Sequence, residues 1–295
     1  MYRLLWMLMI AGIVSVSCTT GSKMGKTTVT ANQYYQQGDY TKALTIWEDE
    51  IATCLKKGLA DNCPAYTPTA FAFIKLGNDQ KALELLKKAS YSSHVPDSAY
   101  LGLAEIYGRQ DNLSLEMLSL QDYVNHFPSG KKIGQVNARL FKIYVESMNW
   151  ESAENQWKLL DSADQQQESY VQDYFTISKA LQKDATCDSL AFVLIKLNES
   201  DLNALDWLGK KYYRLAEDRY QSEMQAYDKN KTRKQYAKLL KALDEVTAQF
   251  KVSLKYFKAA YQVSPDPKTA NYLSHIYNRL DDKSKAAYYE KLAEK

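Results

Sequence analysis

Three sets of side chains in this 295-residue chain are of a type and spacing that chemistry uses. Gly21, Gly25, Lys26 and Thr27 have the composition of a loop that wraps phosphates in backbone N–H groups and one lysine. The spacing fails, because G-x-x-x-x-G-K-[ST] needs its first glycine where Thr20 stands, and Gly21 is one residue too close. Such a loop also follows a buried strand, and no alternation of strand and helix patterns follows here. The second set is the cysteines. Cys54 and Cys63 flank the turn-like stretch KKGLADNCP, where an oxidising compartment would allow a bridge between two helices. Two free thiols are the alternative, and Cys187 reads as a small buried apolar residue with no partner. The third set, His94, His126 and His275, is isolated. None has a second ligand one helical turn away, and no CxxC, HExxH or GxSxG occurs. The expectation is no catalytic residue, no metal and no cofactor, and a protein that is not an enzyme.

Cys18 is different, because its chemistry depends on what precedes it. Arg3 supplies a positive start, and Leu4 to Val14 is an apolar run too short to span a bilayer. Small residues Ser15-Val16-Ser17 lead into the cysteine. This stretch resembles a bacterial lipoprotein box, which implies cleavage before Cys18 and acylation of its thiol, so that the acyl chains anchor the protein. Ser15 stands where a larger aliphatic residue is usual, so cleavage after Ser17 without acylation stays open. The reading divides the start into a signal peptide at 1–17 and a flexible tether at 18–29. The residue after Cys18 is not Asp, and no acidic cluster follows. The resemblance therefore implies the cell envelope, at the periplasmic face of an outer membrane.

The remaining chain must supply the elements that make a tethered protein useful. Gly (11) and Pro (6) are scarce while helix formers recur, so the chain reads as mostly helix. A net charge of +3 is close to balance and implies no nucleic-acid partner. From residue 30 the dominant signal is self-similarity. YYQQGDYTKALTIW carries Tyr34, Gly38, Ala43 and Trp47, and FIKLGNDQKALEL repeats them as Phe73, Gly77, Ala82 and Leu86. Leu103-Ala104 with Tyr107, Leu140-Phe141 with Tyr144, Leu208-Gly209 with Tyr212, and Leu273-Ser274 with Tyr277 continue the series. Ala153 with Trp157, and Ala286, belong to it too. Residues 165 to 200 fit one more pair, too degenerate to number.

This pattern resembles the tetratricopeptide repeat (TPR), whose units of 34 residues read W-x2-L-G-x2-Y … A-x3-F … P. The resemblance implies an all-α fold, a right-handed superhelical solenoid of about seven TPR-like helical hairpins. Small residues let the two helices of a pair approach, aromatics fill the space between pairs, and stacking stabilises the array. Glu116 departs from the small residue expected in the third repeat, and Glu290 from the large one in the last. The division expected is 30–200 for the N-terminal repeats and 201–295 for the C-terminal ones.

One pair is too long. Between Gly209 and Phe257 the sequence AEDRYQSEMQAYDKNKTRKQYAKLLKALDEVTAQF intervenes without a single Gly or Pro. Tyr236, Leu239, Leu243, Val246, Phe250, Leu254 and Phe257 advance by threes and fours, facing Ala216, Tyr220, Met224 and Tyr227. The reading is a protruding antiparallel coiled-coil hairpin at about 216–250, turning near Asp228 to Thr232 and reaching roughly 20 Å out at 1.5 Å per residue. Its tip carries Lys229, Lys231, Arg233, Lys234, Lys238 and Lys241 with no acid from Lys229 to Leu243. That suits an acidic partner or anionic headgroups, or it is a solvated face.

The resemblance further implies a ligand groove lined by the first helix of each pair. Its positions here are Tyr35, Lys75, Arg109 and Lys142 early in the chain. Lys210, Tyr213, Arg214, Asn271, His275, Asn278 and Arg279 follow late. The late set suits a peptide carboxylate or acidic side chains, with plain hydrated surface as the alternative. The function expected is a non-enzymatic, lipid-anchored TPR scaffold for protein–protein interaction with other envelope proteins. The alternative is a glycan- or small-ligand-binding envelope lipoprotein associated with a transporter, and an envelope hydrolase is a weaker third.

Overall fold

The computed structural model describes the backbone of residues 23–294, with side chains from residue 30 onward. The expected signal peptide and Cys18 lie outside the described residues. The chain divides into two compact units after Gly130. In the first unit, α1 (Lys23–Gln36) pairs with α2 (Tyr40–Lys56), α3 (Tyr66–Lys75) with α4 (Asp79–Ser90), and α5 (Asp97–Arg109) with α6 (Leu113–His126). In the second, α7 (Ile133–Glu146) pairs with α8 (Trp150–Trp157), and a short α9 (Ser162–Gln165) follows. Then α10 (Glu168–Ala180) pairs with α11 (Asp184–Leu197), α12 (Leu202–Lys229) with α13 (Arg233–Val263), and α14 (Pro267–Arg279) with α15 (Lys283–Ala293). The described residues are thus all-α, in seven hairpins, as the repeat pattern implies.

Six of the seven share one turn. The first helix ends in a residue with positive φ: Gly38, Gly77, Asp111, Met148, Gln182 or Asp281. The next residue donates its N–H back to a carbonyl five positions earlier, as Asp39 does to Tyr34 at 2.9 Å and Asp282 to Tyr277 at 2.9 Å. This satisfies a carbonyl that the helix end leaves without a partner. That same residue caps the second helix. The side chains of Asp39, Asn78, Asn112, Asn149 and Asp282 each accept an N–H from the first turn.

Four residues past each cap sits the small side chain that lets the helices meet. Ala43, Ala82, Ala153 and Ala286 are all buried there. Glu116 takes this place in the third pair, buried on α6, and the facing residue on α5 is Gly108. A Cβ on Gly108 would stand 3.2 Å from the Glu116 carboxyl, so the glycine makes the room that an alanine would otherwise leave. In α10 and α11 the turn identifies Ser178 and Cys187 as the repeat positions, with Ala191 where the large residue belongs. Both aromatic positions have gone small, which is why the pair is hard to read as sequence. Cys187 packs as expected, fully buried in a core with Ala191, Leu194, Ala204 and Leu208.

That core spans the expected division at residue 200, with Cys187, Ala191 and Leu194 packed against Ala204 and Leu208. The tether is corrected in part: α1 begins at Lys23, so the backbone from 23 to 29 is helical. Ala31 and Tyr34 pack in the core of the first unit, and propagating an anchored helix backward adds one hydrogen bond per residue fixed.

The long pair is α12 and α13. Their helices run 28 and 31 residues, and the turn between them is Asn230 to Thr232, where the sequence places it. Leu239, Val246, Phe250 and Phe257 are buried along the seam. Tyr236, at the tip, is 48% exposed, its ring tilted against that of Tyr227 with centroids 5.7 Å apart. Contacts from α14 climb α12 as far as Tyr220, through Arg279. Beyond it, α12 continues to Lys229, about 14 Å at 1.5 Å per residue.

Candidate functional site

Of the residues that the TPR resemblance assigns to a groove, Arg109, Lys142, Lys210 and Arg279 are held by carboxylates within the chain, Tyr35 lines a cavity, and others are simply exposed.

Arg109, on α5, binds Glu105 on its own helix at 2.7 Å and Asp79 on α4 at 2.5 Å. Lys142, on α7, pairs with Asp173 on α10 and lies 4.1 Å from the centre of the Tyr170 ring. Lys210 pairs with Asp206 one turn back at 2.8 Å. Arg279 makes two parallel bonds to Glu217, each 2.8 Å, and stacks 4.3 Å over Tyr220. Glu217 raises the pKa of the guanidinium, and the Tyr213 hydroxyl beside it is pushed up by burial and then by Glu217. The Tyr213 hydroxyl also lies 3.4 Å from His275 Nδ1. The late cluster is therefore Tyr213, His275 and Arg279 closed by Glu217 and Tyr220, two residues the sequence reading does not assign to it. Arg214, Asn271, His275 and Asn278 are exposed, as is Lys75.

Four of the groove cations thus already have a carboxylate within the chain. Arg109, Lys142 and Arg279 tie one helical hairpin to a neighbour, and Lys183 with Glu154 and Lys211 with Asp188 do the same. A ligand carboxylate would have to displace an acid already in place. The physical reason is stacking: each hairpin in an array is held by contacts with its neighbours, and these ion pairs supply some of them.

The Tyr35 ring packs edge-on against Tyr40 at 5.3 Å and tilted against Trp47 at 5.8 Å. Burial, then Tyr40 and Glu105, raise the pKa of its hydroxyl, which stays protonated. Beside it opens a cavity of about 670 Å³ within the first unit. From α1 come Asn32, Tyr35 and Gln36, and from α3 Thr67, Pro68 and Phe71. The end of α4 and the start of α5 add Ala89, Ser92, His94, Pro96 and Ser98, and the loop before α3 adds Asn62, Cys63 and Pro64. No lysine, arginine, aspartate or glutamate lines it, although a quarter of the chain is charged.

The wall made by the loop is fixed in place. Cys54 on α2 is bonded to Cys63, with Cα atoms 5.7 Å apart. The Tyr66 hydroxyl donates to the Ala60 carbonyl at 2.8 Å, and Asn62 Oδ1 accepts from both the N–H and the hydroxyl of Ser93. His94, isolated in the sequence, reaches the cavity because Pro96 turns the chain into α5.

The arm tip gathers Lys229, Lys231, Arg233, Lys234, Lys238 and Lys241. Lys231 pairs with Asp228 at 3.3 Å, and lower down Arg219 pairs with Glu223 and Glu245. Among the described residues no carboxylate partner is seen for Lys229, Arg233, Lys234, Lys238 or Lys241, all exposed. Also among the described residues, no cluster of three or more His, Cys, Asp or Glu side chains is arranged to hold a metal. No helix there is long and apolar enough to cross a membrane.

No family model and no curated protein matches the chain. Solved structures are similar at low identity. The C-terminal part of a TPR repeat-containing protein from Cytophaga hutchinsonii is 12% identical, covering 90% of this chain and 93% of its own, with a TM-score of 0.48. A tetratricopeptide repeat protein from Parabacteroides merdae is 13% identical, covering 92% of each chain, with a TM-score of 0.44. A MamA double mutant is 11% identical, covering 67% of this chain and 92% of its own, with a TM-score of 0.43. The repeat assignment stands on this chain's own hairpins, whose common turn, cap and small-residue contact recur pair after pair.

Proposed function

We propose that this chain is a non-enzymatic, lipid-anchored scaffold of the bacterial cell envelope, held through Cys18 at the periplasmic face of the outer membrane. Its helical pairs present surfaces to other envelope proteins, and the surface that docks a partner is the tip of the α12–α13 arm. The partner's matching patch is acidic.

One observation carries this reading: among the described residues the tip gathers Lys229, Arg233, Lys234, Lys238 and Lys241, exposed and with no carboxylate partner seen, while Arg109, Lys142, Lys210 and Arg279 of the groove each have one. A group of like charges repels itself in the free chain, and an acidic partner turns that repulsion into attraction. Exposed charges of this kind act mainly on the rate of encounter and its salt dependence. With a screening length of about 8 Å at physiological ionic strength, only a partner close to the tip feels them.

Crosslinking and pulldown from cells would compare the intact chain, a chain with residues 221–245 replaced by a short turn, and Cys18→Ala. The cut spares Glu217 and Tyr220, which hold Arg279, and Val246, which is in the core. The arm deletion is expected to lose a partner that the intact chain captures, and Cys18→Ala to leave the membrane fraction. Retention of every partner by the arm deletion would refute the docking surface. Unchanged fractionation of Cys18→Ala would refute the anchor, and binding of the tip to anionic vesicles alone would replace a protein partner by a lipid surface.

A further inference from the structure

The cavity belongs to the first unit, the arm to the second, and the two are chemical opposites. We infer that it is a binding site for an uncharged, polyhydroxylated ligand, a short neutral saccharide. The absence of any charged lining residue is the first argument. An anionic sugar or a peptide carboxylate would enter without a counter-charge, and burying an unpaired charge is costly.

The side chains present supply what a neutral sugar needs. Asn32 and Gln36 stand one turn apart on the exposed face of α1, and a primary amide offers both a donor and an acceptor to a hydroxyl. Between them in sequence, Tyr35 presents an aromatic ring and a protonated hydroxyl, and Phe71 contributes a second ring from α3. An aromatic face with its negative quadrupole attracts the polarised C–H groups on the flat side of a sugar ring. The volume, about 670 Å³, lies inside the range of roughly 300–1,000 Å³ usual for small-ligand pockets.

A neutral peptide fits less well. Pro64, Pro68 and Pro96 remove backbone N–H donors from the wall at three places, so an extended chain finds few main-chain partners there. The Cys54–Cys63 bond and the Asn62–Ser93 contacts hold that wall before any ligand arrives, which lowers the ordering cost of binding.

The test is titration calorimetry of the purified full chain with chitotriose, maltotriose and cellotriose. Trigalacturonate and a neutral proline-rich hexapeptide serve as the charged and peptide comparisons. At least one neutral trisaccharide is expected to bind saturably. Tyr35→Ala and the double change Asn32→Ala with Gln36→Ala should each weaken it about tenfold or more, the loss of roughly one good hydrogen bond or ring contact. The polar double variant changes exposed groups only, and an unchanged melting curve will show that it folds. Lack of binding by all three neutral sugars overturns the inference. So does binding that both variants leave intact, or tighter binding of the acidic sugar or the peptide. The arm deletion should leave the sugar titration unchanged, so failure here and failure of the arm's docking role are separate results.

Discussion

At the scale of single residues, two positions with opposite demands test the packing account. Gly209 faces the ring of Phe257, and a Cβ there would come within 2.9 Å of three ring atoms. Phe257 is fully buried and stacked on Tyr272 at 4.5 Å, so the ring has nowhere to go. Ser253 also donates to the Gly209 carbonyl at 2.8 Å, which records how close the helices run. Gly209→Ala gains up to about 1 kcal/mol in helix propensity. Overpacking costs about 1–3 kcal/mol, so a net loss of about 1–2 kcal/mol is expected in the urea unfolding midpoint. Met148 is the converse. It is exposed and holds φ at 55°, a conformation that costs a side chain about 1–2 kcal/mol. Glycine returns about 0.5–1 kcal/mol of that through its freer unfolded chain, so Met148→Gly should stabilise by up to about 1 kcal/mol in the same assay. Gly209 was legible in sequence because Leu208-Gly209 with Tyr212 matches the repeat. Met148 was not, since no composition rule marks a methionine as a left-handed turn residue.

At the scale of elements, the caps make a pH prediction. The carboxyls of Asp39 and Asp282 are held below the usual aspartate range by hydrogen bonds from Lys42 and Lys285. Asp266, which burial pushes up, is brought below it by hydrogen bonds from Thr269 and Lys268. A lowered folded pKa means the stabilisation is complete above the unfolded value of about 3.9 and disappears as pH falls through the folded values. Asparagine caps a helix about as well but does not titrate. Replacing all three aspartates by asparagine should therefore leave stability near neutrality almost unchanged and flatten its decline below about pH 4, read by denaturant titration across pH. An equally steep decline would show that these caps do not set the acid response. The hairpins were readable from Tyr34, Ala43 and their successors because spacing is fixed by helix geometry. The pair containing Ser178 and Ala191 was hidden because its aromatic positions had become small. The ion pairs of the groove were hidden for a related reason: spacing places Arg109 or Arg279 on a helix face, but only folding brings Asp79 or Glu217 to meet them.

At the scale of the whole molecule, the described chain carries a basic arm tip in its second unit and a neutral cavity in its first. Arg109, Lys142 and Arg279 of the groove tie neighbouring helical pairs together. The arm's turn could be read from the sequence, although its reach past Tyr220 is about 14 Å where roughly 20 Å was expected; the cavity could not, because α1, α3 and α5 meet only after three hairpins stack. The most direct test of the scaffold reading is photo-crosslinking in cells from a benzophenone side chain at Tyr236, exposed at the arm tip. The account predicts a discrete protein adduct that disappears when Lys229, Arg233, Lys234 and Lys238 are changed to glutamate, with the chain's melting curve unchanged. No protein adduct from the tip, or the same adduct after the charge reversal, would contradict it.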